Sequence, residues 1–352
     1  MSEKKAGWGI LGTGTIGATM AQAIQESRLG RVVAIGSRDK SKADALARTV
    51  GAPRSYGSYQ EVLDDAGVEF IYIATPHSHH VEWVIAAAAA GKHILCEKPL
   101  AVNARGARAA IDAVRKAGVF LMEGFAFRVH PQYAQLKELL EAGEIGDIRL
   151  VNASFGFDGG PSPANYLHNP ALAGGAILDN GCYSAAMTRF VAGATVGRWF
   201  RNPDRFFGVG LVDKELGVDF DGAAVTWCEG GFTAQLVCTM RTEIDKTVLI
   251  TGSKGFIRLP AAFLPGRMDR FGGTPRIIVE RHDRDSREIV IKAEAGLYTN
   301  EADAIISRAR DGMTEAPEMT WEDSIGNMEL LDQWRAAVGV CYADSVENAG
   351  FL

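Results

Sequence analysis

Short apolar runs alternate with segments of helical period through the first third of the chain, and this alternation constrains the fold more than any other feature. The runs at 7–11, 31–36, 69–75, 93–96 and 119–122 have the length and composition of buried strands. Between them, 15–26, 41–49, the alanine-rich stretch to residue 90 and 103–117 read as helices. Ser41 is the expected N-cap of the second helix, and Gly91 stops the third. Strands separated by helices predict a parallel sheet covered on both faces, a doubly wound Rossmann-type α/β unit over residues 1–125.

After about residue 125 the rhythm changes. A helix at 131–142 leads into a long strand at 147–157 and a loop rich in glycine and proline. Apolar and polar residues alternate from Phe232 to Met240, the period of a strand with one buried face. The run 223–229 meets it across Gly230-Gly231 as a hairpin. Further strands are expected at 248–251, 256–259, 277–281 and 288–291, with closing helices at 300–310 and 322–338. Strands in succession with few crossovers predict an α+β unit over 126–352 built on a mainly antiparallel sheet.

The 352 residues suffice for two such units. With 37 basic against 43 acidic side chains and a net charge of −6, a polyanion such as nucleic acid is a poor partner. The five cysteines include no CxxC pair, which disfavours a disulfide framework or structural zinc and suits a reducing compartment. No run approaches 18 apolar residues, and the opening MSEKKAGWGILG has too short an apolar stretch for a secretory leader. A cytoplasmic protein without a membrane partner is expected.

Gly12-Thr13-Gly14-Thr15-Ile16-Gly17 fits G-x-G-x-x-G, and it follows a strand and opens a helix. Gly12 permits the tight turn, Gly14 lets backbone approach a pyrophosphate, and Gly17 allows close helix–strand packing. The helix N-terminus then faces the phosphates. The second strand ends Ile35-Gly36-Ser37-Arg38, where a hydroxyl and a guanidinium suit a ribose 2′-phosphate and a carboxylate would repel it. The residues favour NADP(H) over NAD(H), although Arg38 could equally be solvated and Asp39 could cap the next helix.

Cys96-Glu97-Lys98-Pro99 sits at the carboxyl end of a parallel strand, the edge where ligands bind in such sheets. The Lys98 charge there can hold a hydroxyl or stabilise an alkoxide, while position alone also fits a surface lysine. If Asn180 opens a helix, Asp179 and Tyr183 are four apart and share a face. They also fit an N-cap and a core aromatic.

The GTGTIG motif, the TPHSHH run at 75–80, CEKP and GGAILDNGCY together resemble the glucose–fructose oxidoreductase / inositol dehydrogenase / rhizopine-catabolism (Gfo/Idh/MocA) family. The likeness spans nearly the whole chain and lies closest to the branch of NADP-dependent D-xylose dehydrogenases and dimeric dihydrodiol dehydrogenases, with MEGFAFRVHP as support. It implies that the second sheet is large, open and used for dimer or tetramer formation, and that the substrate is a carbohydrate-like hydroxyl compound. It implies catalytic roles for Lys98, Asp179 and Tyr183, with Lys98 lowering the tyrosine's pKa. Thr75, Pro76, His80, Glu97, Lys98 and Arg128 would join the cofactor contacts. His77 stands where relatives often have asparagine.

The histidines 77, 79 and 80 lack the spacing of a metal site, and none is expected. Arg198, Arg201 and Arg205 could recognise an anion or form a solvated basic edge. Two rival functions keep the same nucleotide pocket. One is a glycosidase using retained NAD(P) for transient oxidation and elimination; the other is a dinucleotide-sensing regulator without turnover.

Overall fold

Strands that are buried on both faces pair side by side in parallel because helices can cover both surfaces. In the computed structural model, which describes residues 4–160, 165–228, 230–267 and 272–348, six strands do this. They are β1 Ala6–Leu11, β2 Gly30–Gly36, β3 Arg54–Tyr56, β4 Phe70–Ile73, β5 His93–Glu97 and β6 Leu121–Gly124. Every neighbouring pair is parallel, in the order β3-β2-β1-β4-β5-β6. The chain reverses its direction of advance between β1 and β4, so a crevice opens where Gly12 and Thr75 leave those strands.

Helices α1 Thr15–Glu26, α2 Lys40–Val50, α3 Tyr59–Asp64, α4 His80–Ala89 and α5 Ala104–Ala117 connect the strands. The N-cap of α2 is Asp39, not Ser41: its carboxylate accepts from Ser41 N at 3.0 Å and Ser41 Oγ at 2.6 Å. A carboxylate takes this place because it can accept from backbone and hydroxyl together. Strand β3 and helix α3 are too short to leave a periodic signal.

Helix α6 Pro131–Glu141 leads to β7 Ile148–Gly156 and, after a loop, to α7 Cys182–Ala194. Strands β8 Arg205–Val212, β9 Asp219–Cys228, β10 Phe232–Thr239, β11 Val248–Gly252, β12 Gly255–Leu259, β13 Arg276–Arg281 and β14 Arg284–Val290 complete a second sheet. Its order is β14-β13-β12-β11-β7-β10-β9-β8. All pairs are antiparallel except β7 with β10, which run parallel because β10 inserts beside the sheet's first strand after the β8–β9 excursion. The expected hairpin across Gly230-Gly231 is present as β9–β10; Glu229 lies outside the described residues. One face of the sheet is buried and the other open: along β9, Ala224, Thr226 and Cys228 are buried while Ala223, Val225 and Trp227 are exposed.

Helix α8 Leu297–Arg310 returns to the first sheet, where Thr299 Oγ1 donates to the Ala23 carbonyl at 3.1 Å. Helices α9 Trp321–Val338 and α10 Asp344–Glu347 follow, and Ala104 N donates to Asp332 Oδ2 of α9 at 2.9 Å. The second unit is thereby tied to the first through two separate helices, α8 and α9. Beneath the junction Phe125, Phe127, Phe155 and Phe263 pack around Tyr183, each burial contributing about 2–3 kcal/mol. Among the described residues no helix is long and apolar enough to cross a membrane.

Candidate active site

The turn between β1 and α1 is shaped for a phosphate group. Gly12 has φ +119°, and a Cβ there would stand 2.5 Å from the Ala74 carbonyl oxygen. A Cβ on Gly17 would meet the Gly12 carbonyl oxygen at 2.5 Å, so helix and strand approach as closely as glycine allows. Gly14, by contrast, has nothing within 4 Å of its Cβ position, and no side chain caps α1. Thr15, Ile16 and Gly17 therefore present first-turn amides to open space, with no acidic residue among them. Thr75 adds a buried Oγ1 without a protein partner on the facing strand end. These are the features a dinucleotide pyrophosphate requires.

At the end of β2, Ser37 is buried, its Oγ 3.5 Å from Thr13 Oγ1, and Arg38 is exposed. Asp39 is committed to capping α2, so its carboxylate is spent locally. What remains at this edge is a hydroxyl and a guanidinium.

The corner that brings the catalytic candidates together is assembled from both sheets. After β5 the Lys98–Pro99 peptide is cis. His80 is fully buried and ties this turn to the one after β4, with Nδ1 2.8 Å from the Pro99 carbonyl and Nε2 2.9 Å from that of Thr75. Burial drives its pKa down to about 3 despite the two carbonyls, so the ring is neutral and donates from one nitrogen. His80 therefore hydrogen-bonds one of the two turns that carry Thr75, Pro76 and Lys98 and packs against the other.

The Lys98 ammonium crosses to Asp179, donating to Oδ1 at 3.0 Å and to the main-chain oxygen at 2.7 Å. Asp179 lies in a π-helical turn, Ile177–Gly181, held by Ile177 N donating to Asp219 Oδ2 and by Asn180 Nδ2 donating to the Thr239 carbonyl. This turn replaces the expected helix opening at Asn180, and Asp179 is not an N-cap. Such turns recur at functional sites because the extra residue re-aims its neighbours. Tyr183, on the first turn of α7, places its ring 5.0 Å from Lys98 Nζ.

Burial is the largest single influence on both Lys98 and Asp179 and opposes charge on each. The surrounding groups together outweigh it: Asp179, Tyr183, Cys182 and Tyr166 around Lys98, and Lys98 with His77 around Asp179. Lys98 is held well above the usual lysine range and Asp179 well below the carboxylate range. Tyr183 departs from expectation. Burial raises its pKa more than the nearby Lys98 charge lowers it, so the phenol is neutral and its hydroxyl bonds no described residue.

Arg128 also departs from expectation. It is 1% exposed and donates to the Glu318 and Trp199 carbonyls and to Asp323, which also pairs with Arg189. Its guanidinium is a buried anchor for α9, with Nη1 buried and unpartnered among the described residues. Arg205 lies over the Trp227 ring on the outer sheet face, and His77, His79 and His80 take separate partners.

Two residues not selected from the sequence meet at Asp179. Tyr166 donates to Oδ1 at 2.8 Å. His77 donates from Nδ1 to the Ala173 carbonyl at 2.9 Å and places Nε2 3.5 Å from the same Oδ1. The departure from asparagine at position 77 pointed toward the second; nothing in the local sequence marks Tyr166.

A helix N-terminus shaped for a dinucleotide, beside a buried ammonium–carboxylate pair at the strand edge, defines an NAD(P)-dependent oxidoreductase. The chain belongs to the Gfo/Idh/MocA family: residues 6–125 match the oxidoreductase family with an NAD-binding Rossmann fold, and 133–258 match the GFO/IDH/MocA C-terminal domain. It is 32% identical to trans-1,2-dihydrobenzene-1,2-diol dehydrogenase from Mus musculus, over 95% of this chain and 97% of that one. It is 31% identical to D-xylose 1-dehydrogenase (NADP(+)) 2 from Haloferax volcanii, over 92% and 95%. Among solved structures, KijD10, a 3-ketoreductase from Actinomadura kijaniata in complex with NADP and TDP-benzene, is 27% identical. It superposes with a TM-score of 0.83, covering 95% of this chain and 98% of that one.

Proposed function

We propose that the protein transfers a hydride reversibly between NADP(H) and a carbinol carbon of a sugar, polyol or cyclic diol. The observation that carries this reading is the unfinished hydrogen bonding of the Lys98–Asp179 pair. An ammonium has three donors, and Lys98 uses two on Asp179. A carboxylate accepts at both oxygens, and no described residue bonds Oδ2. The pair thus offers one donor and one acceptor side by side, the complement of a reacting oxygen and a neighbouring hydroxyl.

The nicotinamide, when bound, supplies the hydride acceptor or donor. Gly12, Thr13, Gly14, Thr15, Ile16 and Gly17 hold the pyrophosphate, and Ser37 and Arg38 the 2′-phosphate. Thr75, Pro76 and Glu97 line the crevice at the strand ends. Lys98 binds the reacting oxygen and stabilises negative charge on it. Tyr183, a neutral phenol beside that charge, donates its proton to the oxygen in the reductive direction. Similarity to a D-xylose 1-dehydrogenase (NADP(+)) and to a trans-1,2-dihydrobenzene-1,2-diol dehydrogenase supports this substrate class. The test is absorbance at the nicotinamide band with NAD+ and NADP+ across aldoses, polyols and dihydrodiols. Reduction of NADP+ coupled to oxidation of a vicinal hydroxyl substrate is expected, and silence across the panel contradicts the reading.

The open sheet face supports a homodimer. Phe207 and Val209 are 69% and 68% exposed on β8, beside Val225 and Trp227, an apolar surface that a second copy would cover. Phe207→Glu should shift the sedimentation coefficient to that of a monomer; an unchanged value contradicts the assignment. Four of the five cysteines are buried free thiols, which supports a reducing, cytoplasmic location, to be checked by fractionation.

A further inference from the structure

We propose that Tyr166 is a positioning residue for this reaction, fixing Asp179 so that one carboxylate oxygen is left for a substrate hydroxyl. The inference rests on the functional reading above and adds a residue that neither the dinucleotide motif nor the catalytic pair identifies.

Tyr166 opens a single 3₁₀ turn, Tyr166–His168, whose cap is Asn165. The Asn165 side chain accepts from Leu167 N at 3.2 Å and donates to the Gly159 carbonyl at 2.9 Å, pinning the turn to the start of its own loop. From there the Tyr166 hydroxyl reaches inward to Asp179 Oδ1 at 2.8 Å. Its ring stands edge-on to His77, 5.5 Å between centroids at 86°, and His77 is itself locked by the Ala173 carbonyl.

Lys98, Tyr166 and His77 therefore converge on one oxygen at 3.0, 2.8 and 3.5 Å. Two donors, Lys98 and Tyr166, fill the acceptor sites of Oδ1 and fix the carboxylate's rotation about Cβ–Cγ, with the His77 ring packed beside them. Oδ2 takes no bond from any described residue. Tyr166 is 37% exposed although its hydroxyl is turned inward, so it borders the open side of the pair. It acts through Asp179: with the carboxylate free to rotate, the acceptor for a neighbouring hydroxyl is no longer preset.

The test is Tyr166→Phe, which keeps the ring and removes the donor. Steady-state kinetics use trans-1,2-cyclohexanediol with NADP+, and cyclohexanol, lacking the second hydroxyl, serves as a competitive inhibitor. KM for the diol should rise about tenfold with kcat little changed, while the cyclohexanol inhibition constant and the NADPH Kd by fluorescence stay at their wild-type values. An equal weakening of diol and cyclohexanol overturns the proposal, since it marks a general loss of the pocket. Unaltered diol kinetics overturn it too. A wild-type enzyme that binds NADPH and oxidises no sugar, polyol or diol overturns the functional reading itself, and this inference with it.

Discussion

Lys98 and Asp179, 81 positions apart in sequence, are joined twice, through the carboxylate at 3.0 Å and through the main-chain oxygen at 2.7 Å. The second bond matters because it survives loss of the carboxylate charge. Asp179→Asn should therefore keep Lys98 near its place while removing the charge that offsets its burial. The folded-state pKa of Lys98 lies above the ordinary value because Asp179, together with Tyr183, Cys182 and Tyr166, outweighs the larger single effect of desolvation. In the variant desolvation remains, the Asp179 contribution is lost and the pKa falls. The alkaline limb of kcat/KM should move to lower pH. Loss of the paired charge should also destabilise the fold by about 3–5 kcal/mol. A pH–rate profile and urea unfolding check the two outcomes.

Arg38 is exposed at the end of β2, while Asp39 is occupied by the α2 cap. Reversing the charge with Arg38→Glu should raise KM for NADP+ by about 50-fold or more and leave that for NAD+ little altered, because only the former carries the 2′-phosphate. Initial rates with each cofactor decide this.

Glu123 is buried beside the Lys98–Pro99 turn, where Oε1 accepts from Leu100 N at 2.8 Å. Burial pushes its pKa from 4.5 up to about 7. A carboxyl whose folded pKa is raised contributes most below its unfolded value, and that contribution is lost as pH climbs through the folded one. Relative to Glu123→Gln, the wild type should lose roughly 3 kcal/mol of stability between pH 4.5 and 8. Chemical unfolding of both proteins across that window provides the comparison; parallel curves refute it.

Arg128→Met tests the reassignment of that residue. Breaking one arm of the buried Arg128–Asp323–Arg189 group should lower stability by about 3–5 kcal/mol. The NADPH Kd should change by no more than about twofold. A large loss of affinity with stability intact would return Arg128 to the cofactor site.

These outcomes follow how far the sequence could be read. GTGTIG was legible because turn geometry, amide presentation and glycine packing are local properties of six consecutive residues. Lys98, Asp179 and Tyr183 were legible only together, through a family resemblance. The buried partners of Arg128 were not legible because one of them, Asp323, lies 195 positions away, and no local pattern carries that contact. Tyr166 was missed for the same reason: its loop reads only as rich in glycine and proline, and packing is what brings it over His77. Period two identified β10 as a strand but could not say that β7, its neighbour, runs parallel to it. The sign of the Tyr183 shift depended on how deeply Phe125, Phe155 and Phe263 enclose it, which only the packed structure gives.

The central claim is that chemistry occurs at Lys98 beside a separately formed nucleotide cradle. Its most direct measurement pairs NADPH titration with turnover for Lys98→Ala. The account predicts a Kd within about threefold of wild type and a kcat lower by roughly 10³ or more. Turnover at the wild-type rate would contradict it.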